Sequence, residues 1–471
     1  MNYQALTKKK AAMNKKLYLI FLISFYPFIN NAQINTIHLN GKEYYINGVN
    51  IPWNNFGWDF GEHHIWGEGY DSNWFKDSFK DLQENGVNCV RIWIHCDGRA
   101  NPNFDEQGYV TGLDNNFLQQ LNNVVKLANE HSLMVILTLW SHDMLEDYTK
   151  VAGKYAGLHA DLIKNKQKTN SYIQKALIPI VKNLKDHCNI LAWEIMNEPE
   201  WGMNVDYGGT TQQTVSKIEM QQFIGKCIEA IREHTDQNIT IGSAKPFKNN
   251  STKNYWHESE FHQLGFNCSK VYLDFYSFHF YNYMGNTMSP HINQAQEWKL
   301  NKPILISEVS FSVDLFNQQT SPLNQQKLCK NNGYGGIVFW SYKDVYKTDT
   351  WTDYKKDIKN FTLKNTENIT YNNSCENIFT ATPLLICKTY PNPSNGFLNL
   401  SIKDTKEMYF TTGTLYNMNG KLVKTFSTNT NQHTILLDNF ASGVYYLLIN
   451  IYSPNKDLIY IKSEKVIIEN N

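Results

Sequence analysis

The sequence predicts an α/β chain in two parts: a closed parallel (β/α)₈ barrel, then a small all-β sandwich. Three observations carry this. Short apolar runs alternate with amphipathic helical stretches from about Gly41 to Trp351. Most of those runs end, at their C-terminal side, in polar, acidic or aromatic residues. Every tryptophan lies between Trp53 and Trp351, and residues 389–471 turn to short alternating strands punctuated by turn residues.

Gly48-Val49-Asn50-Ile51-Pro52-Trp53 reads as the first barrel strand. Asn73 is placed to cap the helix that follows, with Trp74, Phe75, Phe79 and Leu82 on one face and Gly86 at its end. Cys89-Val90-Arg91-Ile92-Trp93-Ile94-His95 is the second strand. Residues 115–128 space Phe117, Leu118, Leu121, Val124, Val125 and Leu127 as one helical face. Met134 to Trp140 is the third strand, with Ser141-His142-Asp143 at its tip. A helix from about Ser171 is interrupted near Pro179. Leu191 to Asn197 is the fourth strand, ending in Asn197-Glu198-Pro199-Glu200. A long amphipathic helix over residues 212–234 leads to a fifth strand, Ile239 to Ser243. Phe275 to Tyr281, Pro303 to Glu308 and Gly336 to Trp340 complete the set. Strands separated by helices must run parallel, and eight of them close into a TIM barrel. We place the barrel domain at residues 33–362, an Asn/Thr-rich linker at 363–388 and the sandwich at 389–471.

At 471 residues the chain is too long for one ordinary domain, and 42% hydrophobic residues supply a large core. Forty-four Lys and Arg balance forty-four Asp and Glu, so no charge excess points to nucleic acid or an anionic membrane. Basic residues Lys8 to Lys10, Lys15 and Lys16 precede the apolar run Leu17 to Phe28 and a small residue, Ala32. That is the form of a secretory signal over residues 1–32. The run is too short to span a bilayer of roughly 30 Å. The eight cysteines contain no Cys-x-x-Cys pair, which argues against zinc and redox sites. Export permits disulfides, and Cys375 with Cys387 is the first pair to test; the others sit mostly in core-like contexts, where a free buried thiol is expected.

In a barrel of this kind, polar residues at strand C-termini carry the chemistry. The tips collect Trp53, Arg91, His95, His142, Asn197, Glu198, His279, Tyr281, Glu308 and Trp340. Any one of them has a bland explanation, a solvated charge or a core histidine; the ordered set does not. Two strands that each deliver a glutamate place Glu198 and Glu308 across one cleft. Two carboxyls hydrolyse a glycosidic bond, one as acid and base, the other as nucleophile or as base to a water. A nearby Arg91 would lower the pKa of Glu308 and keep it ionised, making it the nucleophile. Glu198, with no evident cationic partner, is then the acid/base. Asn197 suits a sugar hydroxyl, and Trp340 offers a flat face to a pyranose ring. The chemistry calls for no metal and no cofactor, and a monomer suffices.

At these residues the chain resembles glycoside hydrolase family 5, over roughly residues 35–360. The carrying motifs are Arg91, Asn197-Glu198-Pro199, His279 with Tyr281, Glu308 and Trp340. Within the family it is similar to endo-β-1,4-mannanases, through Pro52 to Gly61, Arg91-Ile92-Trp93-Ile94-His95 and Gly108 to Asp114. The resemblance implies a retaining mechanism, with Arg91 and Tyr281 orienting the nucleophile and Trp340 stacking in the cleft. One departure stands out: those mannanases tend to have Asn-Gly after the third-strand tryptophan, where this chain has Ser141-His142. The tail resembles a type IX secretion sorting domain, through Tyr390-Pro391-Asn392-Pro393 and Asn417 to Lys421, which implies the secretion machinery as a partner and a secreted or surface location. The alternatives are a cellulase or other β-glycanase, a barrel that binds polysaccharide without cutting it, and a carbohydrate-binding tail. Trp58, Trp66, Trp201 and Tyr207 are candidates for further sugar contacts.

Overall fold

A computed structural model describes residues 36–152, 156–246, 254–343, 351–369, 386–403, 409–437, 439–452 and 458–469. The predicted export signal, most of the predicted linker, Cys375 and the Cys387 side chain lie outside them. The chain divides into two compact units, Met1–Ser374 and Cys375–Asn471.

The first unit is built on eight parallel strands: β1 (Ile46–Asn50), β2 (Cys89–Cys96), β3 (Met134–Ser141), β4 (Ile190–Asn197), β5 (Ile239–Ser243), β6 (Tyr276–Phe280), β7 (Ile304–Ser310) and β8 (Gly336–Trp340). Each pairs with the next, and β8 pairs with β1 to close the barrel. β2, β3 and β4 are buried at every residue. That is why they read as near-continuous apolar runs, broken within by Arg91, Thr138 and Glu194, rather than alternating ones.

The interior differs between its two ends. Towards the strand N-termini it is apolar: Ile46, Cys89, Met134, Ile136, Leu191, Leu305 and Val338 form one cluster. Ile37, Leu39 and Tyr44 of a short N-terminal hairpin, Ile37–Leu39 with Lys42–Tyr44, join it. Towards the strand C-termini the buried residues become Asn50, Arg91, Thr138, Glu194, Ser277 and Ser307. The barrel is a packed hydrophobic plug below and a polar basin above.

Helices cover the outside. Ser72–Glu84 buries Phe75, Phe79 and Leu82, but its cap is Asp71, which accepts from the Asn73 and Trp74 amides, rather than Asn73. The helix expected to break near Pro179 does so just before it, through a π-turn at Ile173–Leu177. The predicted long helix over 212–234 is shorter, Lys217–Arg232, opened by a Ser216/Glu219 capping box. Trp351–Lys364 and Thr366–Ile369 are also helical, and Phe361 and Ile369 bury against Tyr45. The predicted linker therefore begins in packed helix; the spacing of Trp351, Tyr354, Ile358 and Phe361 was the signal for it.

The second unit is a sandwich of two antiparallel sheets, one of three strands and one of four. They share a core that includes Leu398, Leu400, Leu415, Ile435, Leu447, Ile449 and Val466. The hairpin predicted around Asn419 and Gly420 joins Phe410–Asn417 to Leu422–Thr428, with Gly420 at φ +72°. Cys89, Cys96, Cys227 and Cys329 are buried free thiols as expected, whereas Cys268 is exposed and Cys188 is disulfide-bonded. Among the described residues no helix is long and apolar enough to cross a membrane.

Barrel closure leaves no slack at Gly336, where β8 meets β1. A Cβ on it would run into the Ile46 side chain and backbone. Gly336→Ala is expected to cost on the order of 2–4 kcal/mol, by overpacking a rigid seam. Denaturant unfolding of the barrel checks this; an unchanged midpoint would contradict it.

Candidate active site

The polar end of the barrel is organised around Arg91, which has no exposed surface. Its guanidinium spends all five N–H groups on protein acceptors. Nε and Nη2 donate to the two oxygens of Glu194, at 3.0 and 2.5 Å. Nη2 also reaches Asn197 Oδ1 at 2.8 Å. Nη1 donates to Asn50 Oδ1 at 2.8 Å and to Glu308 Oε1 at 2.7 Å. Asn50 is oriented in turn by donating to the Ser307 carbonyl at 2.9 Å. Burial opposes the charge on Arg91, but Glu194 and Glu308 outweigh it and hold the guanidinium protonated.

Irregular strand pairing aims these side chains. The register of β4 on β5 shifts between Glu194 and Asn197, so residues three apart both face Arg91. Shifts occur also on β6 between Phe278 and His279, and on β7 between Ile306 and Val309. Extra residues at barrel rims re-aim side chains in this way.

Glu308, on β7, accepts from Arg91 at Oε1 and from the Tyr281 hydroxyl at Oε2, at 2.8 Å. Glu198 follows β4 and sits at φ +47°, ψ 48°, a left-handed conformation that costs a non-glycine residue about 1–3 kcal/mol. Its backbone N–H bonds the Gly242 carbonyl, and Pro199 starts the 3₁₀ turn beyond it. Glu198 Oε1 lies 2.8 Å from His279 Nδ1, and Oε2 accepts from the Trp201 indole at 2.9 Å. His279 Nδ1 is also 3.5 Å from Glu308 Oε2. One oxygen of each glutamate and a ring nitrogen of His279 all lie within 4.8 Å of one another.

Burial pushes both carboxyls above their usual range, and the opposing pulls differ. For Glu308 they come from His279 in its protonated form, from Arg91 and from the Tyr281 hydroxyl. For Glu198 they come from His142, the Trp201 N–H and a more remote Arg91. Arg91 reaches Glu308 and pulls its pKa down as expected, but desolvation by burial is the larger influence. Burial also lowers His279 to about 4, so it is neutral at pH 7. The same three groups are spaced as a cation site would be, but Arg91 and Tyr281 already donate to Glu308, and a dication there would oppose the guanidinium.

Residues 43–344 match the family model described as cellulase, glycosyl hydrolase family 5. The chain belongs to glycosyl hydrolase family 5. It is similar to the mannan endo-1,4-beta-mannosidase of Mytilus edulis, 28% identical over 336 residues, covering 66% of this chain and 86% of that protein. The enzyme of the same name from Cryptopygus antarcticus is 27% identical, covering 66% and 84%. Among solved structures, the beta-1,4-mannanase of the sea hare Aplysia kurodai superposes with a TM-score of 0.61 at 26% identity, covering 72% of this chain and 98% of that one. Residues 388–469 match a secretion system C-terminal sorting domain, which assigns the tail to export by type IX secretion.

Not every predicted residue reaches the pair in this family 5 barrel. Arg91, His279 and Tyr281 do, while Asn197 is held beside them by Arg91. His142 comes within 3.8 Å of Glu198 Oε2, too long for a hydrogen bond. Trp53 and Trp340 pack edge-on at 5.8 Å, each also against Trp93, as an aromatic wall beside the barrel mouth. His95 does not join them: it is fully buried against Phe117, Trp140 and Tyr172, and burial lowers its pKa to about 3. It is a core histidine, and the expectation of a sugar contact there is corrected.

Three residues escaped the sequence reading. Asn50 looks like an ordinary strand polar residue. Glu194, inside an otherwise apolar strand, was a signal, since a buried carboxylate needs a cation. Glu200 follows the strand tip with no local mark of a partner, yet it is fully buried. It accepts from Ser243 Oγ at 2.6 Å, Trp256 Nε1 at 2.8 Å and the Ala244 amide at 3.0 Å, tying the Glu198 turn to the end of β5.

Arg91→Met strands Glu194 without its cation. We expect a loss of about 3–5 kcal/mol and no measurable turnover. The double variant Arg91→Met/Glu194→Met should recover much of the stability but none of the activity. Calorimetry of the two variants checks this, and equal stabilities would contradict it.

Proposed function

We propose that this family 5 hydrolase is an endo-acting mannanase that cuts β-1,4-mannosidic bonds with retention of configuration. Glu308 is the nucleophile and Glu198 the acid/base. The observation that carries the reading is the approach of one oxygen of each carboxyl to within 4.8 Å, with Arg91 and Tyr281 donating to Glu308 and not to Glu198. Retaining enzymes hold their carboxyls about 5–5.5 Å apart, whereas inverting ones leave roughly 6.5–9.5 Å for a water. Similarity to enzymes named as mannanases supports the substrate.

In the first step a Glu308 oxygen bonds the anomeric carbon. The bond to the leaving sugar's oxygen breaks with its electron pair on that oxygen, which takes the Glu198 proton. In the second step Glu198 accepts a proton from water as the water oxygen bonds the anomeric carbon, and Glu308 departs with its pair. Arg91 and Tyr281 stabilise the charge that returns to Glu308. Asn197, beside the acid, is the candidate contact for the sugar 2-hydroxyl. Trp340 is the candidate stacking face, with Trp53 behind it.

Glu308→Ala is expected to abolish turnover, by at least about 10³-fold, while mannan binding persists. The pH profile of kcat/KM should be bell-shaped. Activity is lost as pH falls through the Glu308 pKa, because the nucleophile gains a proton, and as pH rises through the Glu198 pKa, because the acid loses one. Glu308→Gln should lower the Glu198 pKa, read by carbon NMR, because a like charge disappears. The decisive assay follows the anomeric form of products from linear mannan, glucomannan and carboxymethylcellulose by NMR. Retained products from mannan are expected; release from the cellulose derivative alone would replace the mannanase reading with an endoglucanase.

Residues 1–32 are proposed as the export signal. The exported protein should begin close to residue 33 by N-terminal sequencing; an intact Met1 would contradict this.

A further inference from the structure

The Glu198 carboxyl is held on two sides. His279, fully buried, meets Oε1 from within the barrel, and Trp201 meets Oε2 from the loop after β4. A glutamate's last torsion is broad and roughly two-fold, so nothing in the side chain itself fixes the plane of the carboxyl. The indole N–H supplies the second fixed point.

Trp201 is itself anchored. It lies in the 3₁₀ turn Pro199–Gly202, and its carbonyl accepts from the Thr210 amide at 2.8 Å. Its neighbour Glu200 ties the turn to the end of β5. The Lys245 ammonium lies 5.0 Å from the centre of the Trp201 ring and 4.9 Å from that of Tyr207. Tyr207 stacks on Tyr255 at 6.3 Å. Gly208, next along, passes so close to the Glu200 carbonyl that a side chain there has no room. The loop thus folds back on the anchored turn and presents Lys245 with two rings. A cation over an indole draws density from the ring and strengthens its N–H as a donor.

We propose that Trp201 is a positioning residue. It fixes the Glu198 carboxyl so that the acid proton is delivered to the departing sugar oxygen, and Lys245 strengthens that hold. This rests on the assignment of Glu198 as acid/base. The consequence is specific: the contact matters only when the leaving group needs a proton. Misplacing an acid by a fraction of an ångström is costly for a sugar leaving group. A leaving group that departs as a stable anion does not notice.

The test compares the full-length protein with Trp201→Phe, which keeps a ring and loses the N–H. The substrates are mannotetraose and 2,4-dinitrophenyl β-mannobioside, whose phenolate departs unaided. For Trp201→Phe we expect kcat/KM on mannotetraose to fall roughly 10- to 100-fold, within the range of acid catalysis, and to change less than about 3-fold on the dinitrophenyl substrate. Lys245→Gln should show the same split at a few-fold. Equal losses on both substrates, or none on mannotetraose, in both variants would overturn the proposal. Glu198→Gln separates the two layers. If it lacks the split, the acid assignment fails; if it shows the split and Trp201→Phe does not, only the positioning role fails.

Discussion

A single buried guanidinium sets the terms for the rest of the barrel mouth. Arg91 joins β2 to β1 through Asn50, to β4 through Glu194 and Asn197, and to β7 through Glu308. Taking these charges out of water is expensive, and such clusters are weak sources of net stability. What the cluster supplies is geometry and charge. One cation faces two carboxylates, so negative charge is left in surplus, and it lies on Glu308, the member of the set that borders the cleft. With His279 neutral, no second full positive charge cancels it. A site so charged suits a transition state with positive character at a sugar carbon.

The fold makes this possible by dividing the barrel. Parallel strands bring every C-terminal tip to one end, so residues separated by more than a hundred positions meet without long loops. The apolar lower half, with the N-terminal hairpin folded under it, and the larger core between the strands and the helices provide the hydrophobic stabilisation. The upper half can then hold unfavourable features: desolvated carboxyls, a left-handed Glu198 and irregular strand registers. The Glu198 turn is held by Glu200 and Trp201, both within three residues of it, so the strained conformation is overdetermined locally.

Much of this was legible in the sequence, for physical reasons that differ by element. The eight strands showed because burial on both faces leaves a near-continuous apolar run, and Glu198 and Glu308 showed because a charge at the end of such a run is expensive without purpose. The outer helices showed through their period, though their ends did not: Asp71 caps where Asn73 was expected, since both residue types suit the position. What stayed hidden depended on partners distant in the chain. Nothing local distinguishes Glu200 from a solvated acid, because its donors come from β5 and from Trp256. His95 reads like a site residue because it follows an apolar strand, yet its ring faces the helices rather than the cleft. The pull of Arg91 on Glu308 could be anticipated, but not the larger effect of burial, which depends on how completely the cleft walls close.

The central claim is that Glu308 attacks the sugar directly. Covalent trapping tests this most closely. A 2-deoxy-2-fluoro mannosyl fluoride forms the glycosyl-enzyme quickly and releases it slowly, and peptide mass spectrometry then locates the attached sugar. The account predicts one sugar on the peptide containing Glu308, and none on that of Glu198. A label on another residue, or turnover of the fluoride with inverted product and no adduct, would contradict it.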